Sequence, residues 1–274
     1  MDTTVLASYL ARQRWYAGKS RAGEITRVQT AGHLRSEVPR VRVDLVTVDY
    51  PGGDVETYQL PLVAYPQPAD HLAHAFVSEE RDDGGTRWWL YDALHDKQVT
   101  SLWLRGIAAA TPDAESPDGR ISFHRAPGEP DVPVDAPSIV VGAEQSNTSL
   151  IFDDRAILKV FRKVSPGCNP DIEIHDALAR IGSPHIAPPL GWVEGRWTDP
   201  ATGEAVKGSL AMSQVFLRNA TEGWEFAKTS VRDLYAEGDL HADEVGGDFA
   251  GESFRLGLVT AEVHAALADA LPGG

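Results

Sequence analysis

The chain has 274 residues, 42% apolar and 24% charged, a normal balance for a soluble globular protein with room for one large domain or two ordinary ones. Its 40 acids against 25 bases give a formal charge of −15, which argues against nucleic acid or an anionic membrane as partner; an anionic nucleotide stays open, because a local lysine and loop amides can hold phosphate against the global sign. The single cysteine, Cys168, excludes an internal disulfide and a multi-cysteine metal site. Val5–Leu10 is too short for a secretory h-region and no stretch reaches bilayer-spanning length, so the expectation is a soluble, cytoplasmic protein.

Asp2-Thr3-Thr4 can cap a first helix, with Leu6, Tyr9 and Leu10 at helical spacing. Arg12-Gln13-Arg14-Trp15-Tyr16-Ala17-Gly18-Lys19 follows, either a binding surface or a segment that packs its Trp under a sheet and leaves its charges wet. Strands are expected at Glu24–Ala31, Val41–Val48 and Val55–Pro61, with Pro51-Gly52-Gly53-Asp54 as a hairpin turn. Pro66 to Gly85 is mostly polar and ends in a turn. Packing resumes at Trp88–Leu94, and Lys97–Ala109 reads as a helix burying Val99, Leu102, Leu104 and Ile107. Asp118–Ala126 looks like a strand, and the proline-bearing Ala126–Ala136 like a connection.

Ser138–Gly142, Ser149–Phe152 and Ala156–Phe161 read as three strands, the last carrying Lys159 in an otherwise apolar run. The turn Pro166–Asp171 opens a helix to about Ile181, with Asp171 and Glu173 in its first turn, where acids suit the helix dipole. Ala187–Val193 and Ser209–Val215 are further strands around a hairpin at Asp199–Gly203. Amphipathic helices are expected from Thr221 to about Tyr235 and over Phe254–Leu271, the second with Leu256, Val259, Val263 and Leu267 on one face.

Strand, loop, strand, strand with lysine, helix with an early glutamate, two strands: this is the order of a protein-kinase small lobe, in which the strand lysine meets nucleotide phosphates and a helix glutamate holds it. Lys159 and Glu173 lie 14 residues apart, 173 − 159, and Leu210–Leu217 would lead into the segment whose backbone reads adenine. Taken singly, the loop and lysine also suit an ordinary hairpin with a snorkelling lysine, and the last strand an ordinary core strand; the combined order favours the nucleotide site.

The sequence resembles actinobacterial maltokinases, kinases of the aminoglycoside-phosphotransferase type that phosphorylate maltose with ATP to maltose 1-phosphate. The resemblance rests on Arg12–Gly18, Glu144–Ser149, Leu158-Lys159-Val160-Phe161-Arg162, Asn169-Pro170-Asp171-Ile172-Glu173, and the run from Asn219 through Trp224 and Ser230–Leu234 to Glu244–Ser253. It implies an α+β chain: an N-terminal cap domain over residues 1–95 with an antiparallel sheet plus helices, an intermediate and protein-kinase-like small lobe over 96–217, and the start of a helical large lobe over 218–274. Carried over residue by residue, Gln145, Ser146, Asn147, Thr148 and Ser149 form the phosphate-facing loop, Lys159 binds phosphate with Glu173 as its partner, and Gln214, Val215 and Phe216 form the adenine hinge. ATP and Mg2+ are the implied cofactors, maltose the acceptor, and trehalose synthase a partner or fusion partner; the pathway implied is from trehalose to glycogen. A cap-bearing kinase acting on glucosamine or another sugar is the alternative within the class, and a non-catalytic scaffold binding trehalose synthase the alternative outside it.

Two segments imitate the family's catalytic and metal motifs: Glu237-Gly238-Asp239-Leu240-His241 and Asp248-Phe249-Ala250-Gly251-Glu252. Asp239 and Asp248 are nine residues apart, 248 − 239, too few for the loop amide and hairpin that the fold places between the two functions, and no Leu-Gly-Gln follows His241. Both segments are expected to be solvated connector, and His264 an ordinary helix residue. Catalytic residues and metal ligands are therefore expected beyond Gly274, in a chain that is a fragment and transfers no phosphate by itself.

Overall fold

The computed structural model of the chain describes residues 1–111, 116, 118–127, 131–141, 146–218, 223–236, 238 and 249–271. Helix α1 (Thr3–Arg12) starts where the Asp2 carboxylate accepts the Thr4 N–H at 2.7 Å, and it buries Leu6, Tyr9 and Leu10. Trp15 and Tyr16 then turn inward among Tyr50, Tyr58 and Leu60, so the aromatic pair is core and the neighbouring Arg12 and Arg14 stay exposed.

The first sheet contains β1 (Glu24–Arg35), β2 (Arg40–Asp49), β3 (Val55–Tyr65), β4 (Phe76–Arg81) and β5 (Arg87–Asp92), in the order β1-β2-β3-β5-β4, with every pair antiparallel. Gly53, at φ 86°, makes the β2–β3 turn, a backbone state that glycine adopts freely. Strand β4 lies inside the stretch whose polarity suggested only loop and turn. It is an edge strand whose Glu79, Glu80 and Arg81 are charged, and charge is how edges are kept from pairing further.

The second sheet is also antiparallel, ordered β6-β11-β12-β9-β8-β7, from β6 (Ile121–Arg125), β7 (Ser138–Val141), β8 (Asn147–Phe152), β9 (Ala156–Phe161), β11 (Pro189–Thr198) and β12 (Ala205–Val215). Helix α2 (Ser101–Ala108) is shorter than expected and packs on it through Trp103, Leu104 and Ile107. Val99 is buried as well, while Leu102 is half-buried and gives the inner place to Trp103. Gly106 is needed here, since a Cβ would stand 2.3 Å from the Phe123 ring.

Two of the features that join the two sheets are a shared core and a short strand. Ala31, Val43 and Leu45 of the first share one hydrophobic cluster with Leu150, Leu158, Val160 and Leu210 of the second. In addition, the chain leaving β9 pairs at once with β3 through β10 (Lys163–Val164), Lys163 opposite Tyr58. Between these strands Gln59 donates its side-chain amide to the carbonyls of Phe161 and Leu210 at 3.0 Å each, and its backbone N–H to Arg162 O at 2.7 Å. A two-residue strand carries no pattern that sequence reading could detect.

Residues Met1–Glu173 and Pro188–Phe216 form one compact unit. Ile174–Ala187 and Leu217–Gly274 form a second, in which α4 (Gly223–Ala236) and α5 (Phe249–Ala270) meet through Phe226 and Phe249, and His185 bonds Glu262 at 2.7 Å. Helix α3 (Pro170–Arg180) runs from the first unit into the second. On α5, Val259, Val263 and Leu267 are half-buried, whereas Leu256 is exposed, as is His264. No helix among the described residues is long and apolar enough to cross a membrane.

Candidate functional site: a strand lysine platform

The central strand of the second sheet sets the site. In β9 the side chains alternate, with Ala156, Leu158 and Val160 fully buried and Ile157 and Lys159 half-buried on the opposite face. Directly opposed residues in a sheet share a face. Lys159 stands opposite Ser149 of β8 and Met212 of β12, and Ile157 stands opposite Ile151 and Gln214. One sheet face therefore presents a polar row (Ser149 and Lys159, beside Met212), and about 7 Å along the strand direction a second row of Ile151, Ile157 and Gln214. The Gln214 Oε1 is buried without a hydrogen-bond partner, an acceptor whose desolvation is uncompensated within the chain.

Lys159 is held from α3. Asn169 opens that helix: its side-chain oxygen accepts the Asp171 N–H at 2.9 Å, its carbonyl accepts from Ile172 and Glu173, and its own N–H is tied to Ser209 Oγ at 3.0 Å. Pro170 then occupies the first helical position, where a missing N–H costs nothing. Ile172 is buried in the shared core. The carboxylate that reaches Lys159 is Asp171, with Nζ–Oδ2 at 3.1 Å and side-chain exposures of 20% and 33%. Glu173, the expected partner, is exposed. Residues two apart on an α-helix point about 200° apart, so Asp171 and Glu173 flank Ile172 on opposite sides and one of them at most can face the lysine. In this structure the acid beside Lys159 is therefore Asp171, with Glu173 two residues on along the same helix.

Of the other expected site residues, Ser146 is exposed and its carbonyl accepts the Arg162 N–H at 3.1 Å. Asn147, Thr148 and Ser149 enter β8, with Thr148 on the core side, where its hydroxyl accepts from Arg162 Nε at 2.8 Å. At the end of β12, the Val215 N–H donates to Pro188 O at 2.9 Å and the Phe216 N–H to Arg155 O at 3.1 Å. Both donors are thus engaged, and the strand's remaining polar handle is the Gln214 side chain. Glu144 and Gln145 lie outside the described residues, as do Asp239, His241 and Asp248. Among the described residues no group of three or more His, Cys, Asp or Glu side chains is placed to hold a metal ion.

Sequence reading missed Arg162. Its side chain is 1% exposed and pairs with the equally buried Asp92 at 2.6 Å, while Tyr9 OH donates to the same carboxylate oxygen at 3.0 Å. Burial, ahead of the negative charge of Asp92, pushes the Tyr9 phenol well above its ordinary pKa. Its place at the end of the matching stretch Leu158–Arg162 gave it no role, and an arginine following an apolar strand more often marks a strand end in water.

Residues 9–96 match the maltokinase N-terminal cap domain family. Among solved structures, glucosamine kinase in crystal form B aligns with 97% of this chain and 51% of its own, at a TM-score of 0.55 and 18% identity. Crystal form A of glucosamine kinase aligns over 97% and 52%, at 0.49 and 19%. A complex of glucosamine kinase with glucosamine, ADP and inorganic phosphate aligns over 90% and 45%, at 0.47 and 18%. The chain spans about half the length of these kinases. Residues 9–96 are thus similar to a maltokinase N-terminal cap domain, and the α+β architecture of two antiparallel sheets has the fold of a cap followed by a kinase-like lobe.

Proposed function

We propose that this chain is the nucleotide-gripping part of an ATP-dependent sugar kinase of the maltokinase type, whose reaction moves the terminal phosphoryl group of ATP to the anomeric hydroxyl of maltose and releases maltose 1-phosphate. The observation that carries the reading is the sheet face bearing Lys159 and Gln214. Its polar row suits phosphate, with Lys159 as a point charge steadied by Asp171. The half-buried apolar side chains of Ile151 and Ile157 suit the flat face of a purine, and Gln214 Oε1 supplies an acceptor for an exocyclic amine. Gln145, Ser146 and Asn147 would close over the phosphates, Glu173 would remain a solvated helix acid, and the backbone of Val215 and Phe216 would set the edge of the base pocket. The cap match supports maltose as acceptor. Glucosamine is the second reading, favoured by the fold shared with glucosamine kinase.

These residues bind and orient the donor. On this reading the chain is expected to bind ATP and by itself to turn over no sugar. Thermal melting with ATP, ADP and no nucleotide tests the reading. Saturable stabilisation should appear with both nucleotides and be lost in Lys159→Ala. A wild-type chain that melts identically with and without nucleotide would instead favour a scaffold role. A turnover assay with ATP, Mg2+ and maltose or glucosamine addresses the second half, where product formation by this chain would refute the division of labour.

A further inference from the structure

Near the start of β8 lies a second concavity, an open cavity of about 180 Å3 within the first unit. Arg12, Arg14 and Trp15 from the end of α1 line one wall; His95, Asn147 and Arg162 line the others. Thr148, which precedes Ser149 and points to the opposite face of the strand, also lines it and is fixed there by Arg162.

Three features of this cavity point to a ligand. The first is charge: among the described residues three guanidinium groups line it and no carboxylate does, in a chain whose formal charge is −15. Asp92 answers only part of this, since it sits behind Arg162, sharing one oxygen between Arg162 Nη2 and Tyr9 and giving the other to Leu94 N. The second is an unmet donor. Arg162 uses Nε on Thr148 and Nη2 on Asp92, and its guanidinium lies 4.6 Å from the Trp15 ring centroid, yet Nη1 is buried with no hydrogen-bond partner. A buried unpaired donor on a charged group is costly, and a fork held rigidly on three sides is preorganised for an oxyanion. The third is connectivity: the cap helix, the β9–β10 junction and the first strand of the phosphate-facing hairpin all meet there.

We propose that this cavity is an anion site distinct from the Lys159 face, taking the phosphate group of inorganic phosphate or of a phosphate monoester on Arg12, Arg14 and Arg162. Asn147 is common to this wall and to the loop placed over the nucleotide phosphates, and the Lys159→Ala and ADP arms of the test separate the two sites. The probe is inorganic phosphate, titrated at ionic strength held constant with chloride and followed by calorimetry and melting temperature; a hexose monophosphate forms the second arm. Phosphate should bind saturably, and the exposed pair Arg12→Ala/Arg14→Ala should weaken it about tenfold or more, the loss of charge-assisted contacts. Arg162→Lys keeps the buried charge but removes the fork, and should weaken it by a similar factor. Lys159→Ala should leave phosphate affinity within about twofold, and ADP should not displace it. A tighter hexose monophosphate identifies an ester as occupant; a weaker one identifies free phosphate. The proposal is overturned by the absence of saturable phosphate binding, by unchanged affinity in the double variant, or by loss of binding in Lys159→Ala together with competition by ADP.

Discussion

Removing the Asp171 carboxylate as Asp171→Ala isolates the contact that orients Lys159. At 3.1 Å the Coulomb attraction is about 1.3 kcal/mol in a water-like dielectric and about 5 kcal/mol at an effective constant of 20. The two side chains are 20% and 33% exposed, so screening draws the value toward the lower end. Holding a four-carbon stem in one geometry costs up to about 2 kcal/mol of rotamer entropy. Partly exposed ion pairs of this kind are worth up to about 1 kcal/mol net, which is the upper limit for this one. If Lys159 meets phosphate in this posture, ATP affinity measured by calorimetry should fall by up to about fivefold in Asp171→Ala. Glu173→Ala, which removes an exposed carboxylate of the same helix turn, should leave it unchanged. Equal losses in both variants, or a larger loss in Glu173→Ala, would refute the reasoning and show that the helix presents a different face once nucleotide is bound.

Asp92→Ala should cost about 3–5 kcal/mol of unfolding free energy by urea titration, because it strands the buried Arg162 charge; Tyr9→Phe, which removes one hydrogen bond to the same carboxylate, should cost about 1.5–3 kcal/mol, and a reversed order would contradict the assigned hub. Burial by itself would raise the Glu56 carboxyl, but hydrogen bonds from Lys163 and Tyr58 outweigh it and hold the pKa at about 2, below the ordinary 4.5. A depressed carboxyl stabilises the fold above its unfolded pKa and loses that contribution as pH falls through the folded one. The stability gap between the wild type and Glu56→Gln should therefore be constant above pH 4.5 and close toward about pH 2; a gap insensitive to pH would show that the charge is not what matters. Gly106→Ala drives a methyl against the Phe123 ring and should destabilise by about 1–3 kcal/mol, read as a lower urea midpoint with unchanged slope, whereas a neutral result would mean that α2 is free to shift.

Much of the framework is carried by local pattern. Alternation in β2 and β9, the Gly-Gly turn after Tyr50 and the Asn-Pro opening of α3 depend on neighbours along the chain, so their elements can be read without tertiary knowledge. The same alternation puts Lys159 on the opposite face from Leu158 and Val160, which is why a strand lysine could be singled out at all. Tertiary structure decided what local pattern leaves degenerate. Asp171 and Glu173 are equivalent first-turn acids until the burial of Ile172 and the approach of β9 select one of them. Arg162 reads as a strand-end charge until β10 crosses to β3 and carries it between Asp92, Trp15 and Thr148, residues separated from it by 14 to 147 positions in the chain. Its buried charge is tolerated only because those distant partners converge on it, and no window of sequence contains them together.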